Sequence, residues 1–409
     1  MRDPSRANPA PLFVFADDWG RHPSSCQHLI GRLLDDRRVI WVNTIGTRTP
    51  RLDWATASRA GEKLAQWLSP RRRGAAGGER SHPNLTVLNP RMWPSFANPL
   101  ARWLNRELLR KQLAAVIAGL PEPPIAIATP PIVADLVGAL PIRRWIYYRV
   151  DDFAEWPGLD GRALRIMEDR LVERVDQTIA ASEALQDHPG LAGRHVPLLT
   201  HGVDLDHWRR GPEGKGTDPP DWMATLEAPR IVFWGVVDRR MDVSFLKRLA
   251  ESLDRGTIVL LGPSSDPDPA IGSLPRVVSR LAVPYNDLPG VAQAASALIM
   301  PYADLPVTRA MQPLKLKEYL ATGKPVVART LPSTRPWADC LDLADAPEEF
   351  ALAVMARLKT GLPASQDRAR ERLAGEGWEA KARLFESWIA DGTAPPSRRD
   401  AALPLGATS

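Results

Sequence analysis

Cysteine is nearly absent: Cys26 and Cys340 are the two in the chain. No disulfide framework can staple it, and a reducing compartment is expected. Long hydrophobic runs are missing as well. No uninterrupted apolar stretch reaches roughly 18 residues, so no membrane-spanning helix is expected. The richest candidate, residues 114–140, is broken by Pro121, Pro123, Pro124, Pro130 and Pro131. The opening residues, MRDPSRANPAP, carry no apolar core of a signal peptide, so none is expected. His and Cys do not cluster at metal-ligand spacing, which leaves no expected metal. Charge is only mildly lopsided. Fifty-three basic residues against 48 acidic ones give +5 and a pI near 9.3. That suits an anionic ligand or an anionic membrane surface and is too weak for nucleic-acid binding. The expected location is the cytoplasm, with peripheral contact at the inner membrane face as a further option.

What is present is length and alternation. A chain of 409 residues holds two domains of ordinary size. Apolar residues make up 44%, enough for sizeable cores. Short buried-strand patterns recur: LFVFA at 12–16, Val39 to Val42, PIAIAT at 124–129, RWIYYRV at 144–150 and QTIAA at 177–181. A second series follows with IVFWG from 231, TIVLLG from 257 and ALIMP from 297. Helical stretches lie between them, near 101–118 and 160–174, with Ser24 and Ser182 as N-caps. Strands alternating with helices imply an α/β fold of doubly wound parallel sheets. Loops at the carboxyl ends of such strands line the ligand crevice. Residues 17–22 and the pair Asp151 and Asp152 fall at such ends.

The most informative stretch is QPLKLKEYLATGKPVVAR, residues 312–329. Pro313 suits the first turn of a helix. Leu316, Tyr319 and Leu320 form one apolar stripe. Gly323 and Pro325 stop the helix, and Val326 to Ala328 form a strand. Glu318 sits mid-helix beside Lys315 and Lys317. Taken alone, those charges read as an ordinary solvated face.

Glu318 followed by ATGKPVV resembles the donor-site signature of family 4 GT-B glycosyltransferases. The resemblance implies two Rossmann-like domains facing across a cleft and a retaining transfer from a nucleotide-diphosphate sugar, with no metal or other cofactor. It also implies that Glu318 holds the donor ribose. The family's usual second glutamate, eight positions earlier, is here Ala310, and Met311, Gln312 and Pro313 stand where glycines are usual. VDLDHW after His201 and Gly202 is similar to the family's crossing into its second domain. YYRVDDFAEWPG resembles a stretch in glycosyltransferases of surface-polysaccharide and teichuronic-acid pathways.

The resemblance implies a site. Gly235 permits close backbone approach after the IVFW strand. Lys315, Arg240 and the helix start at Leu314 and Gln312 would meet the donor diphosphate. Tyr285 either stacks on the base or belongs to a core. On the acceptor side, Asp151, Asp152 and His22 are candidates for orienting or deprotonating an acceptor hydroxyl. The competing reading has Asp152 capping a turn and His22 merely preceding Pro23. Trp93, Phe96 and Trp103 are expected to pack a core. The basic stretch from Arg59 to Arg80 is either a surface loop or a lip touching anionic lipid. The expected layout is an acceptor-side domain at 1–205, a linker at 206–229 and a donor domain at 230–370. A helix crosses back at 371–389, and a disordered tail follows at 390–409. The expected partners are the donor and a glycan or lipid-linked acceptor. A non-catalytic partner subunit and a nucleotide-sugar epimerase remain as alternatives. A periplasmic-type binding protein is disfavoured by the absent signal peptide.

Overall fold

A computed structural model describes residues 9–20, 24–44, 82–210 and 218–390. The first sheet contains β1 (Leu12–Ala16), β2 (Val39–Asn43), β3 (Leu85–Leu88), β4 (Ile125–Ala128), β5 (Arg144–Arg149) and β6 (Gln177–Ala180). Its order is β3-β2-β1-β4-β5-β6, with every pairing parallel. The second contains β7 (Arg230–Trp234), β8 (Thr257–Leu261), β9 (Val277–Arg280), β10 (Ala297–Met300), β11 (Val326–Arg329) and β12 (Asp342–Ala344). Its order is β12-β11-β10-β7-β8-β9, again all parallel. Counted from its own first strand, each sheet therefore runs 3-2-1-4-5-6. The order reverses between β1 and β4 and between β7 and β10. Those two switch points are where open α/β sheets bind ligands.

The central strands are buried along their whole length because helices cover both faces. The final helix, Trp378–Ile389, does not stay with the second sheet. Trp378, Phe385, Trp388 and Ile389 join the core of the first. Among the described residues, no helix is long and apolar enough to cross a membrane.

Several expectations are corrected. β3 and β9 carry half-exposed, weakly apolar sequences and give no strand signal. The Val243–Ser252 helix, capped by Asp242, also went unanticipated. Pro313 stands outside its helix as an extended N-cap residue, and Leu314 begins it. Phe96 is buried, but Trp93 and Trp103 face solvent. The stretch at 59–80, His22 and residues 391–409 lie outside the described residues.

Candidate functional site

The second domain's switch point is built from three close approaches. Gly235 ends β7 with φ +138°, a conformation that suits glycine. Its amide donates to the Leu261 carbonyl oxygen at 2.9 Å, and a Cβ on Gly262 would lie 2.0 Å from the Gly235 oxygen. On its other side, a Cβ at Gly235 would lie 2.1 Å from Nζ of Lys315. The Lys315 ammonium also donates to Oη of Tyr302 at 2.6 Å and sits 4.5 Å above the Phe233 ring. Lys315, from the Leu314–Ala321 helix, thus reaches back over the ends of β7 and β10. Among the described residues it pairs with no carboxylate within 4.0 Å. A cation held by a phenol, a ring face and a glycine backbone is suited to an incoming anion.

Glu318 lies one helical turn beyond Lys315. The Trp234 indole Nε1 approaches its Oε2 at 3.5 Å. Burial lifts the Glu318 carboxyl to about 7, against the pull of that indole and of Lys315. Tyr319, beside it, ties the helix to the β7 terminus, its hydroxyl oxygen accepting from the Trp234 amide at 2.8 Å. Gln312 is buried, and its backbone lies beside His201. Leu314 is half-buried and packs against the first domain's core, as does Ala310. Ser182 Oγ of the first domain donates to the Ala310 carbonyl oxygen at 2.5 Å. The loop that holds the signature's missing glutamate is therefore a contact between the domains.

Tyr285 stacks on the His207 ring at 4.3 Å and 4°, with Trp208 edge-on at 5.7 Å. One face of the tyrosine is thus already covered. The cluster continues through Trp208 on Trp234 at 5.4 Å, and His28 of the first domain stacks on Trp378 at 4.6 Å. Burial and the Arg32 charge push His28 down to about 4, and burial with the Lys317 charge pushes His201 down to about 3. Both rings are neutral at ordinary pH.

Arg240 crosses the cleft. Asp238 accepts from its Nε at 3.0 Å and its Nη2 at 2.8 Å, which fixes the guanidinium. That plane lies 4.3 Å over the ring of Trp156, a first-domain residue. Asp151 is next to it. Burial raises the Asp151 carboxyl to about 7, although Arg240 and the Trp156 side chain pull the other way. Asp152 has a different environment. It accepts from the Ala154 amide at 3.2 Å and from Arg165 at 3.3 Å, and caps the 3-10 turn Phe153–Glu155. The structure thus brings Asp151 and Arg240 together and leaves Asp152 committed to its own turn.

Sequence reasoning missed Tyr302, Trp234, Asp238 and Trp156. It also read Lys317 as a surface charge. Lys317 is buried and donates to Thr200, to the His201 carbonyl and to Glu376. Lys381 reaches the same Glu376 at 2.7 Å. Tyr302 had one available signal, its position just past the carboxyl end of a central strand. Trp234 and Asp238 stand beside Gly235 and Arg240 in the sequence, whereas Trp156 comes from the other domain.

No family model matches the chain. It is 28% identical over 183 residues to TuaH of Bacillus subtilis (strain 168), a protein named for teichuronic acid biosynthesis glycosyltransfer. That alignment covers 42% of this chain and spans 45% of the relative's length. The solved sucrose-phosphate synthase of Thermosynechococcus elongatus superposes with a TM-score of 0.67 at 15% identity, covering 94% of this chain and all of that one. The fold is GT-B. Anabaena HepE in complex with UDP-glucose shares this GT-B frame with a TM-score of 0.62 at 12% identity, over 93% of this chain and 99% of that one. An α,α-trehalose-phosphate synthase (UDP-forming) from Burkholderia vietnamiensis gives 0.64 at 14% identity, over 94% and 98%. Lys315, Gly235 and Arg240 belong to the second domain, and Arg240 meets Asp151 of the first.

Proposed function

We propose that this chain is a glycosyltransferase. It takes a sugar from a nucleotide-diphosphate donor and passes it to a glycan or lipid-linked acceptor, with retention of configuration. The observation that carries this reading is the Lys315 ammonium held between Gly235 and Tyr302, one helical turn from the half-buried carboxyl of Glu318. A cation for phosphate oxygens and a carboxylate for ribose hydroxyls, at that spacing on a GT-B switch point, match a nucleoside diphosphate. The HepE complex with UDP-glucose and the match to TuaH support a nucleotide-sugar donor and a surface-glycan acceptor.

In this reading residues 1–205 are the acceptor side and 230–370 the donor side, joined by 206–229, with 371–389 crossing back. Lys315, Arg240 and the amides at the start of the Leu314 helix take up the charge that develops on the leaving diphosphate, and no metal is required. Gln312 and Leu314 shape the entrance. Tyr285 borders the base with its uncovered side. Asp151 deprotonates or orients the acceptor hydroxyl, in a setting whose raised carboxyl suits proton transfer near neutral pH. The same protein works in the cytoplasm against the inner membrane face.

Calorimetry with UDP, GDP and ADP, followed by assay of nucleotide release from the matching sugar donor, tests this. Tight binding of one diphosphate and acceptor-dependent release are expected. Failure of all three to bind would overturn it. Ala310, where a second glutamate is usual, favours one other reading, a partner subunit that binds donor without turning it over. Binding without release from any donor would select that reading.

A further inference from the structure

Large apolar side chains on the described surface are few, and four of them fall between residues 87 and 103. Trp103 is 56% exposed, Leu100 73%, Trp93 43% and Val87 37%. Two elements present them together. The Pro99–Ala118 helix begins with Leu100 and Trp103 on its outer side, while Ala101, Leu109 and Leu113 face the core. The strand-like segment before it runs back along the helix. Asn105 fixes it by accepting from the Trp93 amide at 2.6 Å and donating to the Trp93 carbonyl at 3.1 Å. Gln112 does the same about two turns further on, bonding the amide and the carbonyl of Arg91 at 2.8 and 2.9 Å. The two tryptophans are therefore held on a braced platform rather than on a loose loop.

The polar surroundings are one-sided. Arg91 and Lys111 are exposed, and Arg106 and Arg110 are partly so. One carboxylate, Glu107, serves both Arg106 at 2.7 Å and Arg110 at 2.8 Å. The segment and helix that carry the patch thus present these four cations against a single acid. A protein partner would satisfy the apolar part without any need for this charge excess. Tryptophan bodies with polar indole edges, an exposed leucine and an excess of basic residues are what a bilayer interface with anionic headgroups selects.

We propose that the platform of Trp93, Leu100 and Trp103 docks the first domain on an anionic membrane surface, with Arg91, Arg106, Arg110 and Lys111 against the headgroups. This does not depend on glycosyl transfer, because vesicle binding requires neither donor nor acceptor. The surface lies on the domain that the functional reading assigns to the acceptor, so docking would bring a lipid-linked acceptor to the cleft.

Co-sedimentation of the full chain with vesicles tests it. Vesicles of phosphatidylcholine alone are compared with vesicles holding about 30% phosphatidylglycerol. The expected result is binding to the anionic vesicles only. Binding should weaken about fivefold for each cation lost, as in Arg91→Gln and Lys111→Gln. The double variant Trp93→Ser with Trp103→Ser should lose at least about tenfold in affinity. Its melting temperature should be unchanged, because both indoles are exposed. Three results would overturn the proposal: equal binding to both vesicle types, no vesicle binding by the native chain, or native-like binding by the double-tryptophan variant. Light scattering on the same samples identifies a second copy as the occupant if the native chain dimerises, the double variant does not, and vesicles are ignored.

Discussion

Glu318→Gln keeps the shape of the side chain and removes its charge, so it separates a ligand's needs from the fold's. Ribose hydroxyls donate to a carboxylate, and a hydrogen bond to a charged group contributes about 1.5–3 kcal/mol. Losing that raises Kd for a nucleoside diphosphate about 10- to 150-fold. Stability should move the other way. Burial raises the Glu318 carboxyl from 4.5 to about 7 in the folded chain. The unfolded chain gives up this proton first as pH rises. The protonated group's contribution is therefore fully present below about 4.5 and lost as pH rises through about 7, at up to about 1.4 kcal/mol per pH unit. Because the side chain is only half-buried, the loss by about pH 8 is on the order of 1–3 kcal/mol. The glutamine variant should thus melt with the native protein near pH 5 and above it near pH 8.

Binding has a matching signature. A ligand that bonds the carboxylate draws its proton off, so uridine affinity of the native chain should rise with pH to about 7 and then level. The variant's affinity should be flat. Differential scanning calorimetry at the two pH values and titration with uridine and UDP measure both effects. Native-like UDP affinity in the variant, or a lower melting temperature near pH 8, would refute the assignment. A carboxyl kept in a setting that disfavours its charge is a candidate for function, whereas a structural acid would bring its own partner.

Gly235→Ala should drive Lys315 from its place, since the new Cβ would lie 2.1 Å from Nζ. UDP affinity should fall at least about tenfold and uridine affinity little, because ion-paired phosphate contacts are the strong ones. An equal loss for both ligands would exclude a phosphate role. Asp151→Asn should lower turnover about 10²–10⁴-fold with donor Kd unchanged. Asp152→Ala should instead lower stability through its lost cap, by about 0.5–2 kcal/mol. His22→Ala is read by the same turnover assay, where full activity removes it from the acceptor side. Glu376→Gln leaves the Lys317 and Lys381 ammonium groups without their carboxylate and should cost about 3–5 kcal/mol in denaturant unfolding. A loss below about 1 kcal/mol would show that the Thr200 hydroxyl and the His201 carbonyl alone satisfy Lys317.

The fold was legible where the sheets are covered on both faces. LFVFA, IAIA, TIVLL and ALIM are continuous apolar runs because every residue in them is buried. β3 and β9 stand at sheet edges, each with one neighbour, and their exposed residues dilute the signal. Trp93 and Trp103 misled for the opposite reason. Tryptophan is usually buried, and sequence alone does not show that Asn105 and Gln112 hold this segment outside its helix.

The proposed donor side was legible because its parts are close in sequence. Glu318, Lys315 and the Gly323 stop fall within ten residues, so a local pattern carries them. The cleft was less so. Trp156 under Arg240, and Ser182 on the Ala310 carbonyl, are contacts between two domains, and no periodicity records them.

Lys315 and Lys317 show the limit within a single helix. Two positions apart on a helix, their side chains diverge by about 200°. One lies over the ends of β7 and β10, and the other points to where the chain crosses back. There Glu376, 59 residues later, accepts from Lys317. Burial and the Lys381 charge push Lys317 down to about 8, and the two lysines hold Glu376 below its ordinary value against burial. A buried ammonium is stable only with such a partner. The crossing segment that supplies Glu376 also supplies Trp378 to the first core, and a Cβ on Gly202 would lie 2.7 Å from the Trp378 ring. One segment therefore fixes the back of the donor helix and seats itself in the other domain. Any opening of the cleft must either carry that segment along or break the Lys317–Glu376 pair.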